Sequence, residues 1–387
     1  MKNTLALLLV ATCSLSVYAE EKELTTYERY QAWLNQMLLE LGADGQFNPD
    51  KGVDWSVMPG PFYTPEKKFG IGVSAVGLYK PDLADTVTQP SSVTINGFGS
   101  INGAYGLSFS NTNYLAHDKY RLFIDAEIMD SPDVFYGVGM NAGLNNDRVD
   151  YTRRTYAASV KGLLQVMQYT YVGLGFEFSK NEASDAEIED PQNPWVGQSL
   201  AGFPDQQFSA GVTMSLAYDS RDFALNASQG RLVKLDYTHF SASLGSDHEF
   251  DRVAVNYSDY YSPDLLDGVI AWQALLEANF GDVSWDQMAL LGGGSALRGY
   301  EQGHYRDRNM MISQVEYRQP IGGRHGMVYW VGAGTLSDQL SELGQEKWLT
   351  TVGVGYRFEI KQRVNLRLDM GFGNGESGFY FAINEAF

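Results

Sequence analysis

The chain has 387 residues and a formal net charge of −19, with 41 glycines, 24 tyrosines and 20 phenylalanines. The acidity argues against nucleic acid as a partner, because phosphate recognition needs basic patches. Mean hydropathy is only −0.25 and no window beyond the first residues is apolar enough for a helical membrane span, yet glycine and aromatics abound, as in a transmembrane barrel where alternate residues meet lipid.

Residues 1–19 read as an export signal. Lys2 gives a positive start, Leu5 to Ala11 an apolar run and Val17-Tyr18-Ala19 a small-residue cleavage site ahead of Glu20. The run ends at Thr12, far short of the roughly 20 residues of a spanning helix. Val10-Ala11-Thr12-Cys13 faintly resembles a lipoprotein box, but threonine before the cysteine fits it poorly. Cleavage after Ala19 removes Lys2, taking the charge to −19 − 1 = −20, and also Cys13, the only cysteine. Disulfides, cysteine-containing metal sites and thiol catalysis go with it.

Residues 20–52 form a separate N-terminal periplasmic segment. Tyr27, Tyr30, Trp33, Leu34, Met37, Leu38 and Leu41 recur at helical spacing and predict a short amphipathic helix ending near Gly42. It either packs on the periplasmic rim or plugs the lumen.

From 53 to 387 the chain breaks into segments of about ten residues with period-2 alternation between turn signals. In Arg363 to Gly373, Val364, Leu366, Leu368, Met370 and Phe372 share one face and Asn365, Arg367, Asp369, Gly371 and Gly373 the other. Thr351 to Ile360, Ala210 to Asp219 and Arg121 to Ile128 repeat the pattern. The expected strands are 53–63, 69–80, 91–102, 103–114, 120–129, 152–165, 170–180, 207–219, 230–241, 250–261, 267–280, 308–320, 326–336, 347–360, 363–373 and 378–387. Sixteen is an even number, as single-chain bacterial barrels require. The long connections (130–151, 181–206, 281–307, 337–346) follow odd strands, and the short ones 115–119, 166–169, 262–266 and 361–362 follow even ones. A sandwich has no reason to sort its connections so, whereas a barrel with short periplasmic turns and long extracellular loops does. The expected fold is therefore all-β: a transmembrane antiparallel barrel of about sixteen strands with a short N-terminal helix.

Phe387 closes the sequence, with Phe379, Phe381 and Ile383 on its face. This resembles the terminal-strand signature by which outer-membrane proteins are recognised for insertion. Glu385 would interrupt that outer face near the periplasmic end, at a cost of about 0–1 kcal/mol.

Leu291 to Pro320 contains Leu297-Arg298-Gly299-Tyr300 and then Glu316, Tyr317 and Pro320. This resembles the sixth extracellular loop and following strand of the BamA/TamA and two-partner-secretion barrel superfamily, of the bacterial surface antigen type. Tyr218-Asp219-Ser220-Arg221-Asp222 with Gly230 is similar to a second family turn, although Ala227 stands where proline is usual. The resemblance implies that the loop folds into the lumen as a lid and that Arg298 meets acidic groups there. An unpaired guanidinium cannot shed its charge and is costly to bury. Glu316, on the inward face with Gln314 and Arg318, is the expected partner. The family aspartate on the next strand is replaced by Gly332, and Asp369, two strands on, is the candidate substitute. Family members usually carry periplasmic POTRA domains that capture clients. Between Ala19 and the first strand there is room for none, which points to a short branch.

No enzyme is expected. The five histidines, His117, His239, His248, His304 and His325, show neither i, i+4 pairing nor a zinc-protease spacing. Ser295 is not in a nucleophile elbow, and His304 reads as a polar loop residue. Gly292-Gly293-Gly294 reads as loop flexibility. No cofactor or metal is expected. The resemblance implies an outer-membrane barrel acting in membrane-protein or lipid insertion or translocation. Its partners would be outer-membrane lipids, the cell's own barrel-assembly machinery for insertion, and a protein or lipid client, with a homodimer left open. A passive cation-preferring porin and a membrane anchor for a partner protein are the alternatives.

Overall fold

The computed structural model describes residues 26–64, 67–145, 148–187 and 206–387. The expected export signal lies outside them. The chain divides into two units, Met1–Leu41 and Gly42–Phe387. In the first, α1 spans Thr26–Glu40, with Gln36 donating to Glu40 Oε1 at 3.0 Å one turn on. Trp33 and Leu39 are exposed.

The second unit is a closed antiparallel barrel of sixteen strands. These are β1 Val53–Thr64, β2 Lys68–Tyr79, β3 Ser91–Ser100, β4 Tyr105–Leu115, β5 Tyr120–Phe135, β6 Val149–Met167, β7 Thr170–Glu187 and β8 Gln206–Asp219. They continue as β9 Gly230–Phe240, β10 Phe250–Tyr261, β11 Val269–Gly281, β12 Asn309–Gly322, β13 His325–Ser337, β14 Leu349–Lys361, β15 Val364–Phe372 and β16 Ser377–Ile383. Each pairs with its sequence neighbour, and β16 returns to β1. Every strand expected from alternation is present, and β5, β6 and β7 run beyond their expected ends.

The alternation sorts side chains opposite to a water-soluble protein. Ile71, Leu107, Leu174, Met214, Val331 and Val352 are exposed on the outer wall, while Arg121, Gln314, Glu316, Arg357 and Asp369 are buried inside. An apolar surface running round the whole wall is stable only against lipid. Exposed Tyr120, Tyr169, Tyr218 and Tyr261 lie at strand ends or turns on one rim, where amphipathic rings suit a membrane interface.

That rim carries the short turns but also two longer connections, 80–90 and 220–229, which meet across the mouth. The Ala224 amide donates to Gln89 Oε1 at 2.7 Å, and Arg363 donates to Asp222 Oδ2 at 2.8 Å and to the Asn226 carbonyl at 2.5 Å. Gly230, with φ of 89°, allows the turn to fold: a Cβ there would lie 2.1 Å from the Ser220 carbonyl oxygen. Asp219 is held by Arg121 at 2.6 Å and Arg221 at 2.8 Å. The barrel unit also takes in residues 42–52. Lys361, fully buried, pairs with Asp44 at 2.7 Å and Asp54 at 2.9 Å, and the Gly45 amide donates to the Ile360 carbonyl at 3.0 Å.

Candidate functional site: the lumenal loop and its arginine

The longest described connection, 282–308, joins β11 to β12 and turns into the lumen. A two-residue ladder, Ala289–Leu290 with Arg306–Asp307, starts it. The Leu291 amide then donates to the Tyr305 carbonyl at 3.0 Å and the Gly293 amide to the Tyr300 carbonyl at 3.1 Å. Gly292 does more than supply flexibility. Its φ is 93°, and a Cβ there would lie 2.6 Å from the Glu301 carbonyl oxygen, so the hairpin closes only over a bare backbone. An apolar core of Leu291, Leu297, Tyr300 and Tyr305 seats the loop on Ile312, Leu336 and Leu349 of the wall and on Met140. Met140 opens a short helix, α2, Met140–Asn145. Leu297 is fully buried with φ of 51°, a left-handed conformation that costs roughly 1–2 kcal/mol and is held by this packing.

Next to it, Arg298 has no exposed surface. Its Nη1 donates to Asp369 of β15 and its Nη2 to Glu316 of β12, while the guanidinium lies 3.8 Å from the centre of the Trp330 ring. The Arg298 carbonyl accepts from Thr351 Oγ1. Gly299 lets the loop lie backbone to backbone on β15, since a Cβ there would fall 2.6 Å from the Phe372 nitrogen. Gly371 reciprocates, its Cβ position lying 2.7 Å from the Arg298 carbonyl. The Gly299 amide donates to Tyr380 Oη at 3.0 Å. Tyr300 Oη donates to the Thr350 carbonyl at 2.8 Å and accepts from the Asn374 amide at 2.9 Å.

The charges extend below the loop. Arg318 Nε meets Glu316 at 3.0 Å, Arg357 meets Asp369 at 2.5 Å and Glu385 at 2.7 Å, and Arg367 meets Asp369 at 3.2 Å. Four guanidinium groups thus face three carboxylates. On the returning arm of the loop, outside the spanning strands, burial opposes charge on His304, but Glu376 beside it and Glu301 hold its pKa above the ordinary histidine value.

The Omp85 superfamily domain matches residues 90–387. The chain belongs to the Omp85 superfamily. In fold it is similar to BamA from Haemophilus ducreyi lacking POTRA domains 1–3, with a TM-score of 0.52 at 16% identity over 85% of this chain and 69% of that one. CdiB from Acinetobacter baumannii gives 0.53 at 12% identity, covering 86% of this chain and 59% of that. CdiB from Escherichia coli gives 0.52 at 10%, covering 87% and 62%, so this chain spans about three fifths of each CdiB chain. No curated protein matches its sequence.

In this Omp85 barrel Leu297, Arg298, Gly299, Tyr300, Glu316 and Asp369 come together. Gly332 faces the lumen between Gln314 and Thr351, its Cβ position 3.1 Å from each side chain, and the second acceptor of Arg298 is Asp369 of β15. Glu385 corrects the sequence expectation. β16 ends at Ile383, and Asn384 with φ of 74° breaks the alternation. The Glu385 side chain therefore turns inward, accepting from Arg357 and from Asn365, each at 2.7 Å. Phe387 likewise leaves the face of Phe379, Phe381 and Ile383 and packs near Tyr260, under the Arg318 guanidinium at 5.2 Å. Trp330, Thr351 and Tyr380 carried no sequence signal for this site.

Removing one partner of a buried ion pair costs about 3–5 kcal/mol, and Asp369 touches three guanidinium groups where Glu316 touches two. Asp369→Asn should therefore lower the unfolding midpoint of the purified barrel more than Glu316→Gln. Arg298→Ala leaves three cations on three anions, so its main effect should be faster protease cleavage within 282–308, with a smaller loss of heat stability. Unchanged cleavage and unchanged heat stability in Arg298→Ala would refute the lock.

Proposed function

We propose that this Omp85 barrel is an outer-membrane insertion or translocation device that acts on lipids or membrane proteins through the barrel itself. The loop 282–308 is its lid. The observation that carries the reading is the fully buried Arg298, clamped between carboxylates of two wall strands. A porin has no need to fill its lumen with a loop fastened by a charge that is costly to bury. In this reading residues 1–19 are a cleaved export signal, the rim of short turns is periplasmic, and Phe379, Phe381 and Ile383 serve recognition by the cell's assembly machinery. The work is done without covalent chemistry.

The route runs along the wall, at the closure between β1 and β16. Among the described residues their register holds a single pair, Tyr63 with Phe379, whereas β1 pairs with β2 along its whole length. Beyond that pair the Phe381 ring occupies the space beside Gly60, where a Cβ would lie 2.1 Å from a ring carbon. Pro59 and Pro61 in β1 lack the amide protons that a further ladder needs. A seam built on prolines and an aromatic side chain opens more easily than one built on main-chain hydrogen bonds.

Lipid flip-flop and ion conductance recorded on the same purified barrel test the lid. The native chain should move lipid while conducting little, and Arg298→Ala should change both. Steady conductance without lipid movement, indifferent to the substitution, would mean a passive porin.

The seam has its own test. Replacing Pro59 and Pro61 with threonine restores two donors and should raise the unfolding midpoint while slowing lipid or client transfer. Faster transfer in that variant would place the route elsewhere.

A further inference from the structure

On the returning arm of the lid three side chains from distant parts of the chain converge. Glu301 and His304 come from the loop and Glu376 from the turn between β15 and β16, and one ligand atom of each lies within 4.8 Å of the others. His304 is sandwiched between Tyr136 at 3.9 Å and Tyr305 at 4.4 Å, which fixes the plane of its ring. Its Nε2 lies 3.0 Å from the Gly143 carbonyl oxygen. A carbonyl can only accept, so Nε2 carries the proton and the neutral ring turns its Nδ1 lone pair the other way.

That lone pair faces a carboxylate. Nδ1 is 3.0 Å from Glu376 Oε1, yet it is fully buried and makes no aligned hydrogen bond. The two carboxylates are themselves held from behind. Glu301 Oε2 accepts from Tyr136 Oη at 3.1 Å, and Glu376 Oε2 accepts from the Glu301 amide at 2.7 Å. Each of these three neighbouring donor groups is thus held by a hydrogen-bond partner of its own, which is how metal ligands are held. A cation must stand between Nδ1 and Glu376: a proton or a metal ion.

We propose that Glu301, His304 and Glu376 bind a divalent transition-metal ion, with zinc as the representative case. Imidazole nitrogen with carboxylate oxygens is a donor set zinc accepts, and two ligands about 2.0–2.2 Å from one ion readily lie 3 Å apart. Two carboxylates and a neutral imidazole carry two negative charges, which one divalent ion balances. The bound ion fastens the returning arm of the lid to the turn that leads into β16, the strand that closes the barrel. Release of the lid then depends on metal supply outside the cell. Spacing along the sequence had no means of finding this site, because its third ligand lies 72 positions beyond His304 (376 − 304).

The experiment is zinc titration of the untagged, purified full-length barrel in detergent against a chromophoric chelator, with protease cleavage of 282–308 followed in parallel. One equivalent of zinc should bind and slow cleavage. His304→Gln and Glu376→Gln should each weaken binding by at least about 10-fold. Asp338→Asn, an exposed acid on the same rim, should leave it unchanged. Heat-dependent gel mobility establishes that each variant is a folded barrel. Absence of stoichiometric zinc would mean that only a proton bridges the pair, and binding that survives both substitutions would place the metal elsewhere. Either result overturns the proposal, and neither bears on lipid transfer.

Discussion

The structure turns on the burial of one guanidinium. Arg298 cannot lose its proton, so the lumen has to answer a full charge, and the answer reaches well past its two direct acceptors. Arg318, Arg357 and Arg367 share the carboxylates of Glu316, Asp369 and Glu385. Among these side chains there is one positive charge more than negative. Arg298 Nε, Arg318 Nη1, Arg357 Nη2 and Arg367 Nε are all buried without a hydrogen-bond partner among the described residues. A half-satisfied network is worse than a complete one in a low dielectric. Such a centre holds a loop with specificity while keeping the energy of release modest, which suits a lid better than a permanent plug.

Small residues make this geometry attainable. Gly299 and Gly371 bring loop and wall into main-chain contact, and Gly353 leaves space for the Trp330 ring, a Cβ there falling 2.0 Å from it. Trp330 in turn supplies the face on which the guanidinium rests, an interaction worth more in a desolvated site than at a surface. Each glycine therefore fixes a distance of approach, and an added methyl group would lift the lid from its seat.

Much of the fold was legible because the barrel writes a period of two into every strand, and lumenal charges such as Asp369 and Arg357 stand out against the outward apolar row. The pairing of Arg298 with Glu316 was a short step from the loop motif. What escaped reading was of a different kind. The inward turn of Glu385 depends on where β16 stops, and a left-handed Asn384 has no period to announce it. Trp330 and Tyr380 belong to aromatic rows whose orientation only register decides. The grouping of His304 with Glu376 arises from a hairpin folding back toward a turn far along the chain. Sequence also tied residues 42–52 to the N-terminal helix, whereas Asp44 and Gly45 belong to the barrel because Lys361 and Ile360 hold them.

The inward Glu385 has a consequence for communication between the two ends of the barrel. Hydrogen-bonded charges run without interruption from Arg298 to Asp369, from Asp369 to Arg357 and from Arg357 to Glu385, and Arg318 joins Glu316 to the main-chain oxygen of Phe387. Anything that pulls the last residues out of the mouth takes an anion from the cluster and leaves four cations on two. The lid and the final residues then share one free energy. Linkage makes the effect mutual: by whatever factor displacing the chain end loosens the lid, an open lid loosens the chain end equally.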